Sequence, residues 1–447
     1  MSIDAYSRRK AMGGASAAGK ICAFVAGLTL ILSACSWSPG LGRHASTPPP
    51  DSTRDVTPPA DGATPMLRST AVNPVQPGAP HRTTVVAGEH PEVALPAGLP
   101  MATADPTTMV AHFINVGQGD AILLEFSCGA VLIDTGGERT QRTLGKDLLR
   151  DYIEEFFARR HDLSRTLDLV ILSHPHADHT DGTSVLIGAD PAIDVLNLLD
   201  GGQPGPHDSG RSGQIAMQRY VAETGGGYVG LSEADIKNVS GVRNSVIDPI
   251  DCRSRGGVDP GIVALWGRVD LDAGWAKNRN NDSVVVRVDF GRVSFLFTGD
   301  LEHQGLSAML ESYEADLAIF DIDVLKVGHH GSVNATTPEF VRATSPKIAV
   351  IQSGDSSFTT EMYNAYVYGH PNRVAVRMLL DPVYGVSMGR GDVQVRVGIK
   401  GRPPGANPPP PQFTRMTLRK AIYSNSWDGN IAVVARADGL LLVETEY

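Results

Sequence analysis

Short apolar runs, separated by glycine-rich pieces, open the part of the chain that follows residue 108. The runs cover residues 110–116, 121–125 and 130–133, and the separators are Gly117-Gln118-Gly119-Asp120 and Asp134-Thr135-Gly136-Gly137. Runs of this length bounded by glycine are typical of strands that enter a sheet through tight turns. The pattern predicts a β-rich ordered domain that begins near Met109.

A helical period follows and then gives way to a strand. Over residues 146–158 the apolar side chains recur every three or four positions, which predicts an amphipathic helix. Residues 167–172 form a continuous apolar run, as expected of a strand buried on both faces. Further strands are predicted at 195–199, 293–297 and 324–327, a helix at 301–310, and an insertion-rich region at 182–274.

The last part of the chain alternates strand-like runs with turns. These runs cover residues 348–352, 393–398, 431–435 and 439–444, and the proline-rich residues 402–411 between them are predicted to be a surface loop. We expect residues 348–447 to form the second half of a two-sheet sandwich with helices outside.

The N-terminal residues carry the features of an export signal. Arg8, Arg9 and Lys10 precede an apolar run at 21–32, which is too short to span a bilayer and ends in Leu32-Ser33-Ala34-Cys35. This ending resembles a bacterial lipobox, which implies that Cys35 carries a lipid and that the protein is exported and anchored at the cell envelope. An ordinary signal peptide with a coincidental cysteine is the alternative. Residues 1–35 are therefore predicted to be signal and lipobox.

Composition divides the rest of the chain into a spacer and a folded domain. Residues 36–106 are rich in Pro, Ser, Thr, Ala and Gly, so they cannot bury enough apolar surface to fold, and we predict a disordered linker. Residues 107–447 are predicted to be one domain. Cys128 and Cys252 are the cysteines of that domain. We expect them to pair in an oxidising compartment, and two buried free thiols are the alternative.

Charge bears on the partners of the protein. The net charge of the chain is −10, and it becomes −13 if residues 1–34, with four basic residues and one acidic residue, are removed. An acidic protein is not steered electrostatically toward nucleic acid or anionic lipid. Nucleic acid is therefore not favoured as a partner, although a local basic patch would still allow it.

The most informative segment follows the strand predicted at 167–172 and reads Ser173-His174-Pro175-His176-Ala177-Asp178-His179. Because an extended backbone repeats every two residues, His174 and His176 can point to the same side, with Asp178 and His179 in the turn that follows. Imidazole and carboxylate groups are ligands that divalent metals such as zinc prefer. The segment therefore predicts a metal site rather than a polar loop.

This His-x-His-x-Asp-His pattern after a buried strand resembles the signature of the metallo-β-lactamase superfamily. Flanking motifs make the region from Met109 onward similar to the hydrolase domain of ComEC-type competence proteins and to phosphorylcholine esterases: residues 112–121, Asn281-Asp282-Ser283, residues 297–302, and residues 325–332, which end in His329-His330-Gly331-Ser332. The resemblance implies an α/β fold, a four-layer αββα sandwich. After Leu32 no apolar run is long enough to span a bilayer, so the channel part of the competence proteins is not expected.

The resemblance also implies a ligand set for two divalent ions, which we expect to be zinc. The expected ligands are His174 and His176 for the first ion, Asp178, His179 and His329 for the second, and Asp300 as a bridge. For Asp300 alone, a helix N-cap is the alternative reading. Asp134 matches an aspartate that supports the site from behind.

Other residues are assigned to the substrate side or left open. His330 and Ser332 are placed to contact substrate or donate a proton, and His370 matches a segment that closes over the site, with a turn histidine as the alternative. Many two-metal members add a third histidine to the first ion. His207 is the histidine between His179 and Asp300, and it is either that ligand or a solvated loop residue.

The function implied is hydrolysis by a hydroxide held between two metal ions, with Asp178 and His330 as the catalytic residues. The resemblance favours a phosphodiester substrate, whether small or polymeric. A β-lactamase-type amide hydrolase is the second enzymatic reading. A lipid-anchored binding or scaffold protein with a decayed metal site is the reading from a different class.

Overall fold

The computed structural model of the chain describes residues 105–140, 143–236, 240–268, 274–359, 362–402 and 408–447, together with the backbone of residues 82–86. The predicted signal and lipobox, and most of the predicted linker, lie outside these residues and stay predictions. All described residues belong to one compact unit, Ala71–Tyr447. In this described part of the chain, no helix combines the length and the apolar character that crossing a membrane requires.

The strands and helices are numbered here in chain order. The strands are β1 Arg82–Val86, β2 Thr108–Phe113, β3 Ile122–Glu125, β4 Ala130–Ile133, β5 Thr166–Leu167, β6 Leu169–Ile171, β7 Asp194–Val195, β8 Asn197–Asp200, β9 Gly227–Gly230, β10 Pro260–Trp266, β11 Val285–Phe290, β12 Val293–Phe297, β13 Val324–Lys326, β14 Ile348–Ile351, β15 Gly389–Lys400, β16 Gln412–Lys420, β17 Ile422–Ser424, β18 Ile431–Arg436 and β19 Leu441–Thr445. The α-helices are α1 Gly145–Arg159, α2 Ala177–Thr180, α3 Thr183–Ile187, α4 Arg211–Thr224, α5 Glu233–Ile236, α6 His303–Ser312, α7 Pro338–Thr344, α8 Ala365–Tyr368, α9 Arg373–Leu379 and α10 Asn425–Asp428.

Two sheets hold most of these strands. Within the described residues, the first sheet has nine strands in the order β1-β19-β18-β2-β3-β4-β6-β8-β9, and the second has six in the order β10-β11-β12-β13-β14-β17. The pairs β4–β6 and β12–β13 are parallel. Because the carboxyl ends of parallel strands lie at the same edge of a sheet, the turns after β4 and β6 are neighbours, and so are the turns after β12 and β13.

The main core lies between the two sheets. Alternate residues of β2 point into it, and the ring of Phe113 lies 6.3 Å from that of Phe297 on β12. On its other face the first sheet packs against α1 and α4, through Leu123, Leu132, Leu149, Phe156, Met217 and Val221. Helices α6, α7 and α9 bury Met309, Phe340 and Val376 in the main cluster. The αββα architecture predicted from the sequence is confirmed.

Two predicted elements have different limits in the structure. The run at 167–172 is divided into β5 and β6, because β5 pairs with β7 in a small separate sheet whereas β6 pairs with β4 and β8 in the first sheet. The helix predicted at 301–310 begins at His303, because residues 298–301 form a turn in which the N–H of Leu301 donates to the carbonyl of Thr298 at 3.1 Å.

Strand pairing corrects two further expectations. Residues 348–447 do not all belong to the second half of the sandwich. Strands β18 and β19 are part of the first sheet, where β18 pairs with β2. The linker prediction is wrong for residues 82–86, which form β1 and pair antiparallel with β19. This strand was missed because its partner lies more than 350 residues away in the sequence.

A disulfide joins Cys128 and Cys252, whose Cα atoms are 5.3 Å apart. The expectation that these two cysteines pair is confirmed. The bond ties the turn between β3 and β4 to the segment that precedes β10, across 124 residues of sequence.

Candidate metal centre

The turn after β6 brings two histidines together, which we call the histidine pair, His174 and His176. The Nε2 atom of His174 lies 3.0 Å from the Nδ1 atom of His176. Two nitrogens bound to one tetrahedral zinc ion at the usual bond length would be about 3.3 Å apart. Burial lowers the pKa of His174 well below its usual value, and the neighbouring His179 and His176 lower it further. The neutral imidazole that results can offer a lone pair to a metal.

A second set of side chains, the four-ligand group, consists of Asp178, His179, Asp300 and His330. Each offers one ligand atom, and these atoms all lie within 4.8 Å of one another. The Nε2 atom of His179 is 3.2 Å from Oδ2 of Asp300, and the Nε2 atom of His330 is 3.4 Å from the same oxygen. The fold builds this group from three places: the turn after β6, the turn after β12 and the turn after β13.

Both histidines of the four-ligand group have a polar partner at the ring nitrogen Nδ1. Nδ1 of His179 lies 2.8 Å from Oδ2 of Asp134, and Nδ1 of His330 lies 2.9 Å from the carbonyl oxygen of Gln352. A hydrogen bond at one ring nitrogen orients the ring and directs the other nitrogen toward the cluster. Asp134 in turn accepts a hydrogen bond from the N–H of Ser173 at 2.7 Å. It therefore lies behind the site, where the resemblance placed it.

The chemistry of the group fits a divalent cation. Nε2 of His179, Nε2 of His330 and Oδ1 of Asp300 are buried, and none has a hydrogen-bond partner among the described residues. Buried polar atoms without partners are costly unless something else satisfies them. Burial alone would raise the pKa of Asp300, but the charges of His179, His330 and His329 outweigh it and hold the pKa well below its usual value. The carboxylate is thus ionised, as a metal ligand must be.

The two adjacent histidines of the turn after β13 differ in burial and in neighbours. His330 is 1% exposed and belongs to the four-ligand group. The side chain of His329 is 22% exposed, and its Nε2 lies 3.8 Å from Oδ2 of Asp300. Its Nδ1 faces Oδ1 of Asn334 at 3.1 Å and Oε1 of Glu302 at 3.4 Å. Sequence analysis gave His329 the metal and His330 the substrate, and the geometry favours the reverse.

The backbone of this turn explains why the direction of each ring does not follow from the sequence. His329 and His330 both have positive φ angles, 47° and 54°, as does Asp134 at 59°. Left-handed backbone at non-glycine residues is rare and clusters at functional sites. Because two consecutive residues are left-handed, the side-chain alternation of the strand does not continue into the turn, and the sequence alone does not show which ring points inward.

His207 is not brought to either group. Its side chain is exposed in the segment that precedes α4. The next residue, Asp208, is turned inward and accepts a hydrogen bond from Nε of Arg279 at 3.1 Å, with its side chain 11% exposed. The described residues therefore give the histidine pair no third histidine from this segment.

His370 and Ser332 lie beside the cluster. The ring of His370 is 5.8 Å from that of His329 and 6.2 Å from that of His330, and Tyr368 stacks on it at 5.6 Å. Ser332 is 8% exposed and follows the histidine turn directly. These positions agree with a role on the substrate side, which stays a prediction.

Sequence reasoning gave no role to several polar residues that the structure places behind the ligands. Ser283 accepts a hydrogen bond from the N–H of Asp300 at 3.0 Å, and its Oγ is 3.4 Å from Nδ1 of His174. Asp120 and Lys326 are both buried next to the cluster. The available signal was their location, since each lies within or directly beside an apolar strand run, where a polar side chain needs a specific partner.

Comparisons with known proteins identify relatives of this chain. The family model described as Metallo-beta-lactamase superfamily matches residues 114–355. ComE operon protein 3 of Bacillus subtilis is 25% identical over 279 residues, which are 60% of this chain and 30% of that protein. Competence protein ComA of Neisseria gonorrhoeae is 26% identical over 293 residues, which are 63% of this chain and 33% of that protein. The chain thus spans about a third of the length of these relatives.

Among solved structures, the metallo-beta-lactamase fold protein YhfI of Bacillus subtilis is similar at 14% identity with a TM-score of 0.31, covering 54% of this chain and 85% of that protein. The matches to the family model and to the competence proteins confirm the resemblance inferred from the motifs.

Proposed function

The chain belongs to the metallo-beta-lactamase superfamily, and from this premise we propose that it is a phosphodiesterase that uses two divalent metal ions. The observation that carries the proposal is the convergence of the four-ligand group beside the histidine pair, with the rings of His174 and His179 only 4.2 Å apart. Two adjacent metal positions suit an in-line displacement at phosphorus, in which both the attacking and the leaving oxygen need a cation. When bound, two such ions, for which zinc suits this donor set, lower the pKa of water and neutralise charge that develops on the phosphoryl group.

The residues of the chain divide the remaining tasks. The histidine pair would hold one ion, and Asp178, His179 and His330 the other. Asp300 is suited to the place between them, because its backbone N–H is held by Ser283, whose hydroxyl also lies beside His174. The intact ligand set argues against a scaffold protein with a decayed site.

The residue that contacts the substrate is assigned from the exposure of its side chain. His330 is enclosed by metal ligands, so we give the substrate contact predicted for it to His329, whose ring is open to solvent on one side. His370 and Ser332 are buried and are placed with it by proximity, because the ring of His370 lies 5.8 Å from that of His329 and Ser332 follows the histidine turn directly. This assignment leaves Asp178 as a metal ligand that also faces the substrate, since its side chain is 36% exposed.

A phosphodiester substrate is supported by the motif similarity to ComEC-type hydrolase domains. The test is turnover of a chromogenic phosphodiester by the zinc-loaded protein, with a chromogenic β-lactam as the competing substrate. Asp300→Asn should abolish turnover, and His303→Ala should not, because His303 is exposed on the first turn of α6. Hydrolysis of the β-lactam alone would favour the amide hydrolase.

Lipid anchoring at the cell envelope is a separate proposal, supported by Leu32-Ser33-Ala34-Cys35 after the apolar run. The Cys35→Ala variant should be released from membranes or remain unprocessed. A variant that still fractionates with membranes and incorporates labelled lipid would refute the anchor.

A further inference from the structure

Four carboxylates lie in or directly behind the candidate metal centre: Asp120, Asp134, Asp178 and Asp300. Among the described residues, Lys326 is the one lysine or arginine whose charged group comes within 4 Å of any of them. Lys326 is 1% exposed and Asp120 is 0% exposed. A buried ion pair of this kind is costly to desolvate, and a pair of well-packed neutral residues would often stabilise the fold as well. Its presence therefore calls for an explanation other than stability.

Lys326 reaches the turn that carries Asp300. Its Nζ forms an ion pair with Asp120 and donates a hydrogen bond to the carbonyl of Gly299 at 2.9 Å. The same carbonyl accepts a hydrogen bond from the backbone N–H of His329 at 3.2 Å. The Gly299 carbonyl thus accepts one hydrogen bond from Lys326 on β13 and one from the turn that follows β13. Together these bonds hold the turn after β12 in place.

Gly299 leaves that turn little freedom on its other side. Its φ angle is +51°, and a Cβ at this position would lie 2.8 Å from Cβ of Ser173. The turn is therefore packed directly against the segment that carries the histidine pair. A shift of the turn away from Lys326 would move Asp300 relative to both groups of ligands.

Asp120 contacts two further members of the four-ligand group, His330 and Asp178. The Oδ1 atom of Asp120 lies 3.3 Å from Nδ1 of His330, the ring nitrogen that also faces the carbonyl oxygen of Gln352 at 2.9 Å. The backbone N–H of Asp120 donates to the carbonyl of Asp178 at 3.0 Å. One residue thus contacts two members of the four-ligand group, one through its side chain and one through its backbone.

We propose that Asp120 and Lys326 are positioning residues for the metal centre, with Lys326 holding the turn of Asp300 and Asp120 holding the ring of His330. The proposal rests on the metal centre described under the proposed function. The two charges neutralise each other, so the pair sets geometry without adding net charge to the site. Losing a group that orients metal ligands typically weakens metal binding by roughly 10–100-fold.

The test uses the double variant Asp120→Asn with Lys326→Met, because either single change leaves one buried charge without its partner and endangers folding. Two quantities are measured on the full chain: zinc affinity by competition with a chromogenic chelator, and the Tm of the metal-free protein. Lys347→Met is the matched control, since Lys347 pairs with Asp323, at the other end of β13, at 2.7 Å and is 46% exposed.

We expect the double variant to keep the metal-free Tm within a few degrees of wild type and to bind zinc roughly 10–100-fold more weakly, while the control changes neither quantity. Wild-type zinc affinity in the double variant would overturn the inference. A fall in metal-free Tm without a selective loss of zinc affinity would also overturn it, because the pair would then only stabilise the fold. Failure of the wild-type protein to bind zinc would instead refute the proposed metal centre, on which the inference depends.

Discussion

The histidine pair and the four-ligand group differ in how far apart their members lie in the sequence. His174 and His176 belong to one turn, whereas Asp178 and His330 are separated by more than 150 residues. The members of the pair are brought together by local backbone geometry. The four-ligand group exists only when β6, β12 and β13 are all in place.

The support behind the ligands differs in the same way. His179 and His330 are backed by a carboxylate and a backbone carbonyl, while His174 is backed by the hydroxyls of Ser173 and Ser283 at 3.1 and 3.4 Å. A strongly oriented site of four ligands binds a metal more tightly than a site with two. If the proposed centre takes up two ions, the four-ligand group should therefore bind its ion more tightly than the histidine pair.

Asp300→Asn should have the largest effect, because Asp300 supplies an ionised carboxylate to the four-ligand group and is linked to His174 through Ser283. We expect turnover of a phosphodiester to fall on the order of 10³-fold or more, as several kcal/mol of electrostatic stabilisation are lost. Bound metal should fall at the same time. Turnover and elemental analysis on one preparation check this. Full activity with both ions retained would falsify the placement of Asp300 in the centre.

Replacing His329 and His330 one at a time by alanine tests which of the two histidines belongs to the four-ligand group. His330→Ala should lose the tighter ion. His329→Ala should keep both ions and lose turnover on the order of 10²-fold, the loss typical of a removed contact to the reacting group. Metal content distinguishes the two variants. The opposite result would restore the assignment made from the sequence.

Removing the disulfide tests whether a bond that stabilises the fold also affects metal binding. Replacing Cys128 and Cys252 by alanine should lower the free energy of unfolding by about 2–5 kcal/mol, since the bond closes a long loop. Zinc affinity should not change, because Cys128 precedes β4 whereas Asp134, which supports the ligands, follows it at the opposite end of the strand. Chemical denaturation and chelator competition measure the two effects. A parallel loss of zinc affinity would mean that the region before β10 also shapes the centre.

The smallest effect is expected for His207→Ala. His207 is exposed, so metal content and affinity should match wild type within about two-fold, well below the cost of a lost ligand. His176→Ala is the positive control and should lose the weaker ion. If both variants lose that ion alike, His207 completes the histidine pair after all.

How much of the metal centre could be predicted depends on how far apart its residues lie in the sequence. The segment from His174 to His179 was identified because three histidines and an aspartate follow a buried strand within six residues. Asp300 and His329 were identified as ligands from the resemblance to the superfamily pattern. The inward direction of His330 was not predictable, since two left-handed residues in succession break that repeat. The location of Lys326 in an apolar strand run indicated a buried partner but not which one, because the sequence does not show which carboxylate meets a lysine at the end of a buried strand.

The place of β1 determines where the domain can be cut for laboratory work. Its backbone covers one side of β19, a strand whose residues, Leu441–Thr445, are all buried. A bare strand edge recruits other copies of the chain and promotes aggregation. A recombinant fragment that starts at residue 107, where composition alone puts the boundary, would leave that edge open and should self-associate. A fragment that starts at residue 80 keeps the pairing and is the better sample for metal analysis and crystallisation.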